Sequence, residues 1–147
     1  MNTKEQISAL GQQAFKNHLA YLSSGRIEEW VDLFTENGIL EFPYGPKDFP
    51  TRVSGKPELH EYMKNFPLHF KVEFENLYFH PTADPHTTIA EFTSKGHALA
   101  TGNPYNQRYI SVVTTTDDGK IAKYVDFWNP MVALEAIEAP LTAFVKE

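Results

Sequence analysis

The sequence contains no cysteine. That absence excludes disulfide bonds, thiolate metal sites and thiol nucleophiles, and it fits the reducing interior of a cell. Positive charge is also scarce, since 13 Lys and Arg oppose 19 Asp and Glu, and the formal net charge is −6. Nucleic-acid binding depends on clustered Lys and Arg that neutralise phosphates, and the sequence has no basic run. We therefore expect a cytoplasmic protein with no nucleic-acid partner.

Long apolar segments are missing as well. No apolar run approaches the ~20 residues of a membrane-spanning helix. The first ten residues, MNTKEQISAL, lack the apolar segment of a signal peptide. The sequence thus predicts neither a membrane span nor a leader. With no repeat and no linker, residues 1–147 are expected to form one domain with a single core.

Motifs for metal ions and cofactors are absent too. The histidines form neither His-x-His nor His-Glu-x-x-His, and the sequence HEYMK at 60–64 lacks the second histidine of the latter motif. There is no glycine-rich phosphate loop and no Gly-x-Ser-x-Gly nucleophile motif. We expect no metal, no cofactor and no acyl-enzyme chemistry. The six histidines are His18, His60, His69, His80, His86 and His97.

Aromatic residues, by contrast, make up 14% of the chain and suggest an aromatic-lined interior. Helical patterns dominate the first part of the sequence. Residues 3–6, TKEQ, have the pattern of a capping box that opens a helix, and Gly25 is expected to end it. Helical spacing predicts a second helix over 26–34. Pro57 suits the first turn of a third helix over 57–66.

The rest of the sequence has the patterns of strands and turns. An Asn37-Gly38 turn precedes a short strand at 38–44, and the proline-containing segment 45–54 is predicted to be an ordered loop or a lid. Asn129 and Pro130 are expected to begin a closing helix. We predict an α+β fold with helices on one face of a curved antiparallel sheet. The other predicted strands begin at 70 and cover 87–97, 105–116 and 121–128, with a DDGK hairpin turn before the last.

Several stretches resemble the NTF2-like superfamily and, within it, the SnoaL-like branch. The sequence FTENGILEFPY (34–44) resembles that family's helix end, acidic turn and first strand, and DDGKIAKYVDFWNP (117–130) resembles its last hairpin. TGNPYNQRYISVV and NPMVALEAIEAP look most like the PhzA/PhzB phenazine-biosynthesis subgroup. The resemblance covers essentially the whole chain. It implies a cone with an apolar pocket between sheet and helices, and a homodimer.

Asp126 is the predicted catalytic residue. An acid at this position lies in the pocket of the enzymes that the chain resembles, where it moves or stabilises a proton. Strand alternation places Tyr124, Asp126 and Trp128 on one face, which is apolar. Desolvation there would raise the pKa of the carboxyl towards neutrality, as a general acid or base requires. The alternative is a structural Asp that bonds a backbone turn or Arg108.

Other residues are predicted to line the ligand pocket. Gln107 and Tyr109 share a strand face and would hydrogen-bond a ligand carbonyl, or else pair across strands at a dimer interface. Glu75 stands where the phenazine proteins have a pocket histidine, which argues against phenazine chemistry itself. Glu75 and Glu91 would face inward in only one register. The aromatic candidates, which could equally be ordinary core residues, are Phe42, Tyr62, Phe66, Tyr124 and Trp128.

These observations favour a small enzyme that works without a cofactor. An apolar small molecule would enter the pocket, and Asp126 would act as general acid or base in an isomerisation, cyclisation or dehydration. Two alternatives remain open at this point: a non-catalytic module that binds a small molecule in the same pocket, and a dimeric interaction protein whose sheet is its working surface. A shared fold does not decide among them.

Overall fold

A computed structural model describes residues 2–47 and 49–137. It contains five helices and six strands in these residues, in an α+β arrangement as predicted. The helices are α1 (Lys4–Ser23), α2 (Ile27–Asp32), α3 (Lys56–Met63), α4 (Phe66–His69) and α5 (Pro130–Ala136). The strands are β1 (Phe34–Glu41), β2 (Arg52–Ser54), β3 (Phe70–His80), β4 (Thr87–Ala98), β5 (Arg108–Thr115) and β6 (Ile121–Phe127).

The six strands form one sheet in the order β2-β1-β6-β5-β4-β3. Strands β3 to β6 are antiparallel neighbours, as alternation and turns predicted. The prediction of a purely antiparallel sheet is wrong at one place, because β1 runs parallel to β6. Parallel neighbours cannot be joined by a hairpin and need a long connection. Here that connection is most of the chain, so no local signal marks the pair.

Helix α1 begins where the sequence predicted. The Thr3 hydroxyl accepts from the Gln6 N–H, and the Gln6 side chain accepts from the Thr3 N–H, which completes the capping box. Gly25 follows the helix with φ +73°, a left-handed conformation that suits glycine. The buried side of α1 packs against β3, β4 and β5. The helix therefore covers the half of the sheet that ends at β3.

Two local predictions about helices and turns need correction. Asn37 and Gly38 lie inside β1, where the register with β6 shifts between Phe34 and Ile39, so their turn chemistry makes a bulge and not a chain reversal. The third helix ends at Met63, and a separate turn, α4, follows. Pro67 explains the break, since proline has no N–H to continue the hydrogen bonds of α3.

The segment 45–54 is not entirely a loop. Its last residues form β2, which pairs with β1 through Leu40 and Val53. The closing helix α5 begins as predicted, with the Asn129 side chain accepting from the Met131 N–H at 2.9 Å and Pro130 in the first turn. In the described residues, none of the helices is long and apolar enough to cross a membrane.

Candidate functional site

A cavity of about 500 Å³ lies between the helices and the inner face of the sheet. That volume falls in the range of small-molecule sites. Most of its lining side chains are aromatic or aliphatic. The polar or ionisable ones are His18, Tyr62, Asn65, His69, Tyr105, Tyr109, Tyr124 and Asp126. Asp126 is the only carboxylate in the described lining, so acid–base chemistry in this cavity centres on it.

Asp126 lies on the inner face of β6. Alternation places Tyr124, Asp126 and Trp128 on the cavity side of the chain, as the sequence predicted. Ser111 stands directly opposite Asp126 on β5, and its hydroxyl donates to Asp126 Oδ1 at 2.9 Å. Burial raises the pKa of the Asp126 carboxyl from 3.8 to about 7, while the Ser111 hydrogen bond acts in the opposite direction. The group can therefore both accept and release a proton near neutral pH.

Asp126 Oδ2 is the oxygen that faces the cavity. Across residues 2–47 and 49–137 it has no hydrogen-bond partner, whereas Oδ1 accepts from Ser111. No fully buried side-chain oxygen in this part of the chain lacks a partner. Since Oδ2 lacks one, it is accessible, and Asp126 lines the cavity. A ligand can reach this oxygen directly.

A line of buried polar side chains leads from Asp126 to the helices. The Tyr124 hydroxyl lies 2.9 Å from Ser111 Oγ and 2.9 Å from His18 Nε2. The Trp30 indole N–H donates to His18 Nδ1 at 2.7 Å. Sequence reasoning assigned none of Ser111, His18 and Trp30 to the site. The available signal was a histidine on the otherwise apolar face of α1.

The predicted aromatic residues come together at the cavity. Phe42, Tyr62, Phe66, Tyr109, Tyr124 and Trp128 all line it. The ring centroids of Phe42 and Tyr62 are 5.2 Å apart, and those of Phe42 and Trp128 are 6.0 Å apart. These rings come from the residue that follows β1, from α3 and from the residue that follows β6. Helix and sheet thus contribute jointly to an aromatic wall.

Tyrosine hydroxyls supply the other polar groups near the carboxylate. Burial, with a further contribution from the Asp126 charge, raises the pKa of Tyr105 to about 12 and that of Tyr62 still further. Burial also raises the pKa of Tyr109, and the Tyr109 hydroxyl donates to Ser94 Oγ at 3.1 Å. The Tyr62 hydroxyl, in contrast, has no hydrogen-bond partner among the described residues. It is a neutral donor available to a ligand.

Two predicted pocket acids do not line the cavity. Glu75 is exposed, because Phe70, Val72 and Phe74 take the inner face of β3 and leave Glu75 on the other face. Glu91 also lies on the outer face, where Arg108 Nη2 is 2.6 Å from Oε2 and His80 Nε2 is 3.0 Å from Oε1. The pairing with Arg108 holds the pKa of Glu91 below its usual value. Neither acid is retained as a ligand contact.

Gln107 has a different position from the one predicted. Its side chain is 2% exposed and bonds both backbone groups of Asn129, donating to the carbonyl at 2.8 Å and accepting from the N–H at 3.0 Å. These bonds satisfy the amide, and Gln107 is not part of the cavity lining. Arg108, the alternative partner of Asp126, pairs with Glu91 on the outer face. Asp126 is therefore not held by an arginine.

Metal binding finds no support in the geometry. Among the described residues, no group of three or more His, Asp or Glu side chains is arranged to hold an ion. The ionisable lining consists of one carboxylate, two imidazoles and several phenols. Such a set suits proton transfer and hydrogen bonding to an organic molecule.

Comparison with known proteins places the chain in a family. Residues 15–124 match the model of the SnoaL-like domain. A PhzA/B-like protein of Pseudomonas aeruginosa is 44% identical over 119 residues, which are 81% of this chain and 84% of the relative. The architecture is that of NTF2-like proteins.

Solved structures agree with this assignment. A Bacillus subtilis protein has a TM-score of 0.88 and 36% identity, with 95% of this chain and 98% of that chain covered. The epoxide hydrolase/cyclase-like enzyme SalBIII has a TM-score of 0.69 and 18% identity, with coverage of 86% and 95%, and shares the fold alone. The chain belongs to the SnoaL-like family of the NTF2-like superfamily, and within it to the PhzA/B-like proteins.

Proposed function

We propose that this protein is a cofactor-independent enzyme that binds an apolar small molecule in the cavity and uses Asp126 as general acid and base. The observation that carries the proposal is the accessible Oδ2 of a carboxyl whose pKa burial raises to about 7, at the wall of an aromatic cavity. A general base is most effective when its pKa is near the working pH. Perturbed groups of this kind concentrate at functional sites.

The surroundings of Asp126 favour a substrate that is largely aromatic or apolar and has one polar atom. Rings of Phe42, Phe74 and Trp128 offer faces and edges for such a molecule. The Tyr62 hydroxyl would donate to a carbonyl oxygen or imine nitrogen, while Asp126 Oδ2 removes or returns a proton nearby. Isomerisation, cyclisation and dehydration all need this pair of actions.

Enzymatic use is our first choice over simple binding. SalBIII, which shares the fold, is described as a cyclase-like enzyme that acts in pyran ring formation. A binding module would have little need for a carboxyl that titrates near neutrality inside an apolar cavity, because burying an ionisable group costs folding free energy. The alternative, a small-molecule carrier with the same cavity, predicts binding without turnover.

A model reaction tests the proposal without knowledge of the natural substrate. In the ring opening of a nitrobenzisoxazole, a base removes the ring C–H proton, the N–O bond breaks, and a coloured cyanonitrophenolate forms. A desolvated carboxylate is a suitable base, and the base then returns its proton to water. We expect Asp126→Asn to lower kcat/KM by about 100-fold or more, the usual contribution of a general base. The matched control is Asp32→Asn, at a carboxylate 78% exposed on α2.

Two results would contradict the proposal. One is catalysis by the wild-type protein that Asp126→Asn leaves intact, which would assign the activity elsewhere. The other is a wild-type rate no higher than that of free acetate, although the nitrobenzisoxazole binds. Quenching of tryptophan fluorescence shows whether it binds. That second result would favour the carrier.

The homodimer also remains a proposal. The outer sheet face carries apolar side chains, including Ile110, which is 37% exposed, and the ring pair of Tyr44 and Phe127 at 5.6 Å. Burial of such a face against a second copy would be favourable. We expect light scattering to give twice the chain mass for the wild type and the monomer mass for Ile110→Glu. A wild-type monomer would contradict it.

A further inference from the structure

The hydrogen-bond chain from Trp30 to Asp126 has a fixed direction. An indole N–H can only donate, and here it donates to His18 Nδ1. His18 Nδ1 must therefore be unprotonated, and the ring has its single proton on Nε2. A doubly protonated ring would point a second N–H at the indole N–H. Burial, which lowers the pKa of His18 to about 3, agrees with a neutral ring.

The direction of hydrogen-bond donation continues from His18 to the residues of the sheet. Nε2–H donates to the Tyr124 oxygen at 2.9 Å, which leaves the phenol proton for Ser111 Oγ at 2.9 Å. Each hydroxyl has one proton to donate. Ser111, which accepts from Tyr124, has its own proton for Asp126 Oδ1 at 2.9 Å. The Trp30 indole N–H, at the far end, therefore determines the position of every proton in this hydrogen-bond chain.

The assignment distinguishes the two oxygens of Asp126. We propose that the buried chain from Trp30 through His18, Tyr124 and Ser111 keeps Asp126 Oδ1 a permanent acceptor, so that the proton which Asp126 takes up and releases always resides on Oδ2. Oδ2 is the oxygen that is accessible from the cavity. The inference deepens the proposed function, on which its catalytic meaning rests, by assigning proton transfer to one atom. It makes the four buried side chains positioning residues.

The opposite direction shows what the chain prevents. If His18 had its proton on Nδ1, Nε2 would accept from Tyr124, and Tyr124 would accept from Ser111. A protonated Asp126 could then donate a hydrogen bond from Oδ1 to Ser111 Oγ. The acid proton would face the protein wall and be unavailable to a ligand. Only the donor at Trp30 separates these two arrangements.

No other carboxylate of the described residues lines the cavity, so Asp126 titrates there without an acidic neighbour. The tyrosines around it stay protonated at neutral pH, because burial raises the pKa of each. The titratable groups that share the cavity with Asp126 are His18, Tyr62, His69, Tyr105, Tyr109 and Tyr124.

The experiment is an NMR titration of the whole chain, which needs no substrate. In the wild type, we expect ¹⁵N shifts of His18 to show an unprotonated Nδ1 and a protonated Nε2 across the folded pH range. The Asp126 ¹³Cγ resonance gives the midpoint of its titration. A His18 ring with its proton on Nδ1, or with both nitrogens protonated, would overturn the inference.

Three variants test the coupling. Ser111→Ala removes the donor to Oδ1, and we expect the Asp126 midpoint to rise by about one pH unit, the equivalent of a hydrogen bond to a charged group. Tyr124→Phe leaves Ser111 free to accept from a protonated Asp126, and a rise of about half a unit is expected. His18→Gln preserves the direction, since the amide oxygen accepts from Trp30 and the amide nitrogen donates to Tyr124.

His18→Gln is therefore the conservative control. It should leave the Asp126 midpoint within about 0.2 pH units of the wild type, a difference of ~0.3 kcal/mol, even where stability falls. If the four side chains had a merely structural role, all three variants would change stability. The Asp126 midpoint would then not rise most in Ser111→Ala, less in Tyr124→Phe and least in His18→Gln. An unchanged midpoint in Tyr124→Phe, or an equal rise in His18→Gln, contradicts the inference. Absence of nitrobenzisoxazole turnover by the wild-type protein would count against the proposed function and not against this assignment.

Discussion

Ser111 and Asp126 are direct cross-strand partners on the inner face of the sheet, and the serine hydroxyl donates to the carboxylate at 2.9 Å. The pairing places a neutral donor beside the carboxyl, and no cation of residues 2–47 and 49–137 contributes to its pKa. A neutral donor offsets only part of the cost of burying a charge. The carboxyl therefore retains a pKa of about 7.

The first prediction concerns stability and pH. The folded pKa of Asp126 is about 7 against 3.8 in the unfolded chain, so the folded state holds the extra proton between these values. Stability from this group is fully present below about pH 4, falls as pH rises from there, and is lost once pH has risen through about 7. Asp126→Asn is neutral at every pH. We expect it to match the wild type near about pH 4 and to be more stable at about pH 8, by on the order of 2–4 kcal/mol.

Urea unfolding of both proteins at the two pH values measures this difference. Asp32→Asn, at an exposed carboxylate, controls for the loss of one negative charge. An equal difference in unfolding free energy at both pH values would mean that Asp126 titrates in the folded protein as it does in water.

The second prediction concerns the cavity. Ala133 on α5 lines it and is 7% exposed. Ala133→Leu would place three more carbon atoms in open space, so the fold should tolerate it while a ligand loses room. We expect an anilinonaphthalene dye to bind about tenfold more weakly, since a displaced apolar contact of this size is worth ~1.4 kcal/mol.

Fluorescence titration gives the dye affinity. The control is Met131→Leu, a volume-conserving change on the same helix at a side chain that is 44% exposed. Unchanged dye affinity in Ala133→Leu, with the control also unchanged, would locate the dye outside this cavity.

Local chemistry explains which parts of the fold the sequence predicted. The capping box at Thr3, the Asn129-Pro130 start of α5 and the alternation of β4 to β6 all depend on residues a few positions apart. The parallel contact of β1 with β6 does not. It depends on which edge of the sheet remains unpaired after the hairpins form, and that is a property of the whole core.

The site followed the same division. Asp126 was predicted from the resemblance to the SnoaL-like branch, and alternation and residue type placed it on one face with its aromatic neighbours Tyr124 and Trp128. Glu75 was placed in the pocket by the resemblance to the phenazine proteins, whereas its alternation with Phe74 leaves it on the outer face. A bulge follows directly after Glu75 in β3. Asn76 there adopts φ +61°, and beyond it Leu77 and Phe79 replace the expected alternation on the inner side. A non-glycine residue in this conformation is uncommon, although Asn tolerates it, so no clear sequence signal marks the bulge.

The hydrogen-bond chain could not be predicted at all. His18 and Tyr124 are 106 positions apart in sequence, and Trp30 belongs to a different helix from His18. Each residue alone is an ordinary core side chain. Their function as a unit arises only when α1, α2, β5 and β6 pack together, which no short pattern encodes.

The third prediction concerns Gln107, which holds the backbone at the end of β6 through two hydrogen bonds to Asn129. Gln107→Ala removes both of these hydrogen bonds and leaves the Asn129 N–H without its partner, while the Asn129 carbonyl still accepts from the Val132 N–H at 3.2 Å. We expect it to lower the free energy of unfolding by about 1–3 kcal/mol in urea. Trp128, adjacent to Asn129, should also lose its position in the cavity wall, so dye affinity should fall.

Gln107→Glu is the matched variant. The carboxylate still accepts from the Asn129 N–H, but it can donate to the carbonyl only when protonated. Its folded pKa should therefore be raised, with stability present at low pH and lost as pH rises through that value. A larger deficit at about pH 8 than at about pH 5 is expected. If Gln107→Ala were as stable as the wild type, the two hydrogen bonds of Gln107 to Asn129 would not stabilise the fold.

The fourth prediction concerns a surface pair far from the cavity. His86 lies between two carboxylates, with Nε2 2.6 Å from Asp117 and Nδ1 3.3 Å from Asp84. The bond to Asp117 is the largest cause that raises the pKa of His86 above 6.5. Because the folded pKa is raised, the stabilisation is fully present below 6.5 and disappears as pH rises through the folded value. The contact joins the turn before β4 to the turn between β5 and β6.

His86→Gln should therefore lower the Tm at about pH 6 and have little effect at about pH 9, where the wild-type imidazole is neutral as well. Thermal unfolding followed by circular dichroism measures both values. His97→Gln, an exposed histidine on β4, controls for a surface substitution of the same kind. A Tm loss of equal size at both pH values would show that His86 stabilises the turns by packing or neutral hydrogen bonds, since an ion pair with Asp117 requires the protonated ring.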